Sequence, residues 1–111
     1  MNLTEFKNLV KQLDEGWNSL MFVQKHADYS RNGDKLHNFK RAAVRRSTIP
    51  EDALMGMAEK HFVSIEDMVD DLVLGIEHPL EKWDEKLCDA VNYYKLLRAL
   101  LEERYADVEP E

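Results

Sequence analysis

Residues 80–105, LEKWDEKLCDAVNYYKLLRALLEERY, decide how this chain folds. Trp83, Leu87, Val91, Tyr94 and Leu101 recur at steps of three, four and seven, which places them on one stripe of a long helix. A second stripe lies opposite. Glu85, Asp89 and Asn92 stand at i, i+4 and i+7, spread over about 60° of arc at roughly 100° per residue, and Leu96 and Leu100 continue the same line. The helix is therefore expected to be covered on two sides, by the chain's own bundle and by a subunit partner, as in a homodimer. Carboxylates on a covered helix carry a desolvation cost, which calls for a partner, a metal or a proton.

The same periodicity extends outward. Leu3, Phe6, Val10, Leu13, Trp17 and Leu20 form an apolar stripe on a first long helix that runs through Gly16, with Asn2 or Thr4 as its cap. Extended by the same steps, the seam reaches Lys25 and Asp28, two polar residues at the core-facing end of that helix. Ser30, Asn32 and Gly33 mark a loop. A short second helix is expected from Asp34, with Leu36, Phe39 and Ala43 on one face. Thr48-Ile-Pro-Glu51 reads as a capping box with Pro50 in the first turn. The third helix then carries Leu54, Ala58, His61, Ile65, Val69 and Leu72, and Gly75 ends it. No stretch sustains two-residue alternation. The expected fold is all-α, a single-domain bundle of three long helices plus one short one over residues 1–111, with a tail fraying from about residue 103 through ADVEPE.

Composition narrows the setting. The chain has 111 residues, 44% of them hydrophobic, with three prolines and four glycines, a globular balance. One cysteine, Cys88, excludes an internal disulfide framework and a multi-cysteine zinc cluster, which suits a reducing compartment. No histidine shares its face, so a thiol nucleophile is not expected. No signal peptide and no membrane span are legible, so a cytoplasmic protein without a membrane partner is expected. The net charge of −7 is unevenly placed. Between Arg31 and Arg46, six basic residues face the single acid Asp34, a net +5 that leaves −12 on the remainder. Such a strip can attract phosphate or dock on the chain's own acids. The overall charge argues against general DNA binding, which requires neutralising many phosphates.

Glu85 and Asp89, with the amide of Asn92, could hold Mg²⁺ or Mn²⁺ through oxygen ligands and waters. An acidic first turn also suits a helix N-terminus by itself, which leaves Glu85 open to a purely local role. His61 sits within the apolar stripe of the third helix, where an imidazole serves either as a hydrogen-bonded core group or as a ligand contact. Lys60 points to another face. Lys25, His26, Asp28 and Tyr29 cluster where the first helix should end. The helix dipole favours the cations there but disfavours Asp28. Glu66, Asp67, Asp70 and Asp71 form an acidic run on the third helix, and no Gly-rich phosphate loop or nucleophile elbow occurs.

KHADY at 25–29, HNF at 37–39, Lys60 in a long middle helix and D-x-x-x-x-D-x-x-N-Y at 84–93 together resemble the nucleotide-modification-associated domain family of phages and bacteria. The likeness spans roughly residues 15–100. It implies a phage-type helical protein tied to deoxynucleotide metabolism or DNA-base modification, and carries functional roles onto Lys25, Asp28, Tyr29, Asn38, Lys60, Asp89 and Asn92. The chain is more distantly similar to MazG-type nucleoside triphosphate pyrophosphohydrolases, which hold Mg²⁺ around a nucleotide's phosphates. Asp89 matches the last acid of their Glu-x-x-Asp helix, but Lys86 replaces the Glu before it, and Glu59 and Glu66 lack the Glu-x-x-Glu spacing.

These observations lead to an expectation of a nucleotide or other phosphorylated ligand, with a divalent ion against Asp89 and assistance from Asp28 or Glu85. Lys25 and Lys60 would offset phosphate charge, Tyr29, Asn38 and Asn92 would orient base or sugar, and His61 is a further candidate for contact with the ligand. If the chain turns over its ligand, metal-assisted phosphoanhydride hydrolysis is the matching class, with Asp89, Glu85 and Asp28 as catalytic candidates. The contrasting expectation is a non-catalytic acidic helical protein that blocks or adapts a host or phage partner. A third is that the polar residues merely pin the bundle through buried pairs.

Overall fold

The computed structural model describes residues 1–17 and 36–106. Every regular element among them is helical: α1 (Leu3–Trp17), α2 (His37–Arg46), α3 (Pro50–Val73) and α4 (Leu80–Ala106), of 15, 10, 24 and 27 residues. The chain divides into two compact units, Met1–Lys35 and Leu36–Glu111. The expected extension of the first helix to Asp28, the loop at Ser30–Gly33 and the helix start at Asp34 lie outside the described residues. Among the described residues no helix is long and apolar enough to cross a membrane.

In the first unit, α1 begins as its sequence directs. The Glu5 N–H donates to Asn2 Oδ1 at 2.9 Å, and Asn2 Nδ2 donates back to Glu5 Oε1 at 2.9 Å. Asn2 is thus the cap, satisfying a donor that the first turn leaves open.

In the second unit, α2 and α4 both pack on α3. Leu36, Phe39 and Ala43 of the α2 segment are buried, as their spacing predicts. Leu36 and Phe39 form the core with Leu54 of α3 and Leu100 of α4, flanked by Met57, Tyr93, Leu96 and Leu97. Buried Ala53 and Ala58 let the helices approach closely. At exposed Gly56 an added Cβ would stand 3.0 Å from Nη1 at the end of the Arg46 side chain, which can move aside. The third helix follows its expected stripe only through Ile65. Its later turns bury Met68 instead, and Val69 and Leu72 are exposed.

The helices on either side of the two connections end in the same way. Ser47 takes the left-handed conformation (φ 54°, ψ 48°), with its N–H to the Val44 carbonyl and the Thr48 N–H to the Ala43 carbonyl. This is a Schellman ending, normally reserved for glycine. Gly75 supplies it after α3 (φ 81°), with the Ile76 N–H to the Asp71 carbonyl at 2.8 Å. The capping box expected at Thr48–Glu51 does not form. Ile49 is the residue before α3, no side chain caps that end, and Thr48 Oγ1 donates to Asp52 Oδ2 at 2.8 Å. Glu51 instead receives a two-pronged hydrogen bond from Arg104, through Nε and through Nη2 at 2.9 Å. The Thr48 N–H that such a box would use is already given to the Ala43 carbonyl at 2.9 Å, and Glu51 is engaged by the charge-assisted fork.

The same fork lies at the start of the expected tail, of which positions 107–111 lie outside the described residues. Residues 103–106 are helical, held where Glu103 meets Lys40 of α2 at 3.1 Å and Arg104 meets Glu51 of α3. The hydrogen bond from Arg104 holds the Glu51 carboxyl below its ordinary value of 4.5. A lowered folded-state value means the contribution is complete above about 4.5 and is lost as pH falls below it.

Two outcomes follow. Ser47→Gly relieves left-handed strain and is expected to stabilise the chain by roughly 0.5–1 kcal/mol, read in thermal melting as a rise of about 2–8 °C. An unchanged or lower midpoint would show that the Ser47 side chain contributes more than its backbone strain removes. Glu51→Gln should melt below the parent near neutral pH, with the gap closing as pH drops below 4.5. A gap independent of pH would remove the ion pair as its cause.

Candidate functional site

Helix α4 has two faces able to join a core, and the structure selects the one carrying polar groups. Cys88 is 0%, Asp89 8% and Asn92 7% exposed, in line with buried Leu100 and with Leu96 packed on the core. The expected main stripe is the more open one. Leu87, Val91 and Tyr94 are exposed while Trp83 and Leu101 at its two ends are half-buried, and Tyr94 stacks on Phe62 of α3 at 5.6 Å between ring centroids. Shape explains the choice. Leu96 and Leu100 sit one and two turns beyond Asn92 and meet Leu36, Phe39 and Leu54, so burying them turns Asp89 and Asn92 inward on the same rigid helix.

Within the α3–α4 seam, His61 reaches Asp89, Nδ1 to Oδ2 at 3.8 Å, with both side chains largely buried. The His61 ring lies 5.0 Å from the Tyr93 ring, tilted at 38°, and Tyr93 meets Phe39 edge-on at 6.4 Å. Asn92 Nδ2 donates to Cys88 Sγ at 3.9 Å, one turn back on α4. Among the described residues no buried side-chain nitrogen or oxygen lacks a hydrogen-bond partner. The cluster is therefore formed and satisfied within the folded chain, as buried polar groups must be if they are not to destabilise it.

Three expected site residues, His61, Asp89 and Asn92, thus share this seam. Glu85, Lys60 and Asn38 are exposed. Lys25, Asp28 and Tyr29 lie outside the described residues. Tyr93 joins the cluster although the sequence reading does not single it out; its position four residues after Asp89, on an adjoining line of the helix, is the signal that could have found it. Cys88 acts here as an acceptor for Asn92.

A divalent ion at Asp89 needs further oxygen or nitrogen ligands. Among the described residues no three His, Cys, Asp or Glu side chains come together in a way that could hold a metal. Glu85, the expected second carboxylate, stands on an exposed part of α4. The described residues do not make a complete metal site.

A different pair of ionisable groups closes the α3–α4 connection. His78 Nε2 lies 2.7 Å from Asp71 Oδ2, and its ring meets Trp83 edge-on at 6.5 Å. The two contacts of His78, which precedes α4, tie the end of α3 to Trp83 in the first turn of α4. They brace the hairpin beside the Gly75 turn.

No family model matches this chain, and no curated protein or solved structure is detectably similar to it.

The contact between His61 and Asp89 should be visible as energetic coupling. In a cycle of His61→Ala, Asp89→Ala and the double variant, the two losses of stability are expected to depart from additivity by about 0.5–3 kcal/mol, the range for residues in contact. Additive losses in denaturant melts would show that the two side chains do not act together.

Proposed function

We propose that this protein binds a phosphorylated small molecule of the deoxynucleotide class, with the Asp89 cluster reading its base or sugar. One observation carries the reading: a carboxylate and an amide, Asp89 and Asn92, are kept on the core-facing side of a helix that elsewhere presents leucines to the same core. A bundle needing only stability would gain from an apolar side chain at such a position, since burying a charge costs more than most pairings return. The chemistry of this set suits a heterocycle or a sugar hydroxyl, which would take over the contacts that His61 and Cys88 make to Asp89 and Asn92. Asp89 accepts, Asn92 both donates and accepts, and the rings of His61 and Tyr93 provide flat surfaces. Because the cluster is assembled in the folded chain, a ligand would meet groups whose ordering is already complete, which favours affinity.

The ligand class comes from the resemblance of the KHADY, HNF and D-x-x-x-x-D-x-x-N-Y segments to the nucleotide-modification-associated domain family. In this reading Lys60, exposed beside His61 in sequence, offsets phosphate charge, and Asn38 serves the ligand from α2. Lys25, Asp28 and Tyr29 contribute as that resemblance implies. The activity proposed is binding. Hydrolysis would need metal ligands beyond those described.

The deciding experiment is thermal melting with a panel of nucleoside mono- and triphosphates, each with Mg²⁺, Mn²⁺ or EDTA. A ligand at about 100 times its dissociation constant adds roughly 2.7 kcal/mol, a rise on the order of 10 °C in a domain of this size. Asp89→Asn, nearly the same in shape, should keep the helical circular dichroism and lose that rise. An equal rise in the folded variant would remove Asp89 from the site. No rise with any nucleotide would overturn the reading in favour of a non-catalytic interaction protein.

A further inference from the structure

Two exposed helix faces in the second unit carry the same pattern with opposite charge. On α2, Arg41, Val44 and Arg45 stand at i, i+3 and i+4 in the segment RAAVR. On α3, Glu66, Val69 and Asp70 stand at i, i+3 and i+4 in EDMVD. All six are exposed, with Val44 at 80% and Val69 at 47%. Each trio is one surface patch, since residues three and four apart are neighbours on a helix. Each is a valine flanked by two like charges, and the two patches are matched in size and spacing.

Neither patch is neutralised within the chain's described residues. The ion pairs there use Lys40 with Glu103, Glu51 with Arg104, His61 with Asp89, Asp71 with His78 and Arg98 with Glu102, and none uses a residue of either trio. Helix α2 contains four basic residues and no acid, so its own neighbours repel one another. Helix α3 has acids and no base in its last turns, where the helix dipole disfavours negative charge. Both unfavourable situations would be relieved by a surface of the opposite sign.

We propose that the chain pairs with a second copy of itself by laying the Arg41–Val44–Arg45 face of one copy on the Glu66–Val69–Asp70 face of the other. Each copy offers both faces, and a two-fold arrangement that takes both into one interface forms the contact twice. The two valines exclude water at the centre, and the four charges around them set register and partner, the usual role of rim charges. Exposed ion pairs are individually weak, so the association is reversible and sensitive to salt. None of the six residues belongs to the Asp89 cluster, so this inference does not rest on ligand binding there.

The test is sedimentation velocity of the full chain at high micromolar concentration, in low salt and in roughly 1 M salt, where the screening length falls to about 3 Å. The parent chain is expected to sediment as a dimer in low salt and as a monomer in high salt. Arg41→Glu with Arg45→Glu, and separately Glu66→Lys with Asp70→Lys, should each give a monomer with unchanged helical circular dichroism, since all four sites are exposed. Mixing the two variants should restore a one-to-one complex. The arginine-reversed copy carries two acidic faces and the acid-reversed copy two basic ones, so both contacts of the mixed pair are complementary.

A monomeric parent chain in low salt would overturn the proposal, as would a dimer indifferent to both reversals or a mixture that stays monomeric. A monomer that retains duplex DNA through Arg41 and Arg45 would also overturn it, assigning the basic face to phosphate instead.

Discussion

The second unit depends on how α4 meets α3 and α2. Leu100 and Leu96 of α4 close over Leu36, Phe39 and Leu54, and the last of these is fully buried. Burying a leucine contributes about 1.5–3 kcal/mol, so this small group of side chains outweighs any single polar contact on the surface. From Asp89 to Leu100 the stripe is buried or half-buried as one line, and it is released one turn earlier, at exposed Glu85. Fixing Leu96 and Leu100 therefore fixes the rotation of α4 as a whole and takes Asn92, Asp89 and Cys88 inward with them.

That rotation leaves the polar cluster tolerable only because its partners arrive at the same time. His61 comes from the apolar stripe of α3, Tyr93 from the adjoining line of α4, and Cys88 accepts from Asn92. A carboxylate placed there without them would carry its full desolvation cost. The ends of the unit are held differently, by charge at the surface. Arg104 on Glu51 and Glu103 on Lys40 tie the last turns of α4 to α3 and α2, while His78 on Asp71 braces the opposite, hairpin end. Packing sets the geometry, and these pairs limit fraying at its edges.

Several particulars were legible in the residues. The Asn2 cap, the Leu36–Phe39–Ala43 face, Pro50 in the first turn of α3 and Gly75 beyond its end all appear as the local pattern directs. Each depends on neighbours within about two turns, so sequence spacing suffices to find it. The failures share a different cause. At the Thr48–Glu51 box the Thr48 N–H goes to the Ala43 carbonyl and Glu51 to an arginine 53 positions away, and the stripe of α3 shifted from Val69 to Met68 in its later turns. The more apolar stripe of α4 proved to be its open side. In each case a distant partner, invisible to local spacing, decided between two locally acceptable arrangements.

The sequence by itself determined that the described elements are helices, where α1 starts and where α3 stops, because caps, turns and the 3.6-residue period are short-range physics. It also marked Asp89, Asn92 and His61 as polar residues on lines otherwise destined for a core. Only the tertiary structure decided which face of α4 is buried, that His61 and Asp89 meet, and that Glu85 and Lys60 stay in solvent. Two stripes on one helix can satisfy the same hydrophobic period. The choice between them belongs to the shape of the surface they must fill, and that surface is built by residues far away in the chain.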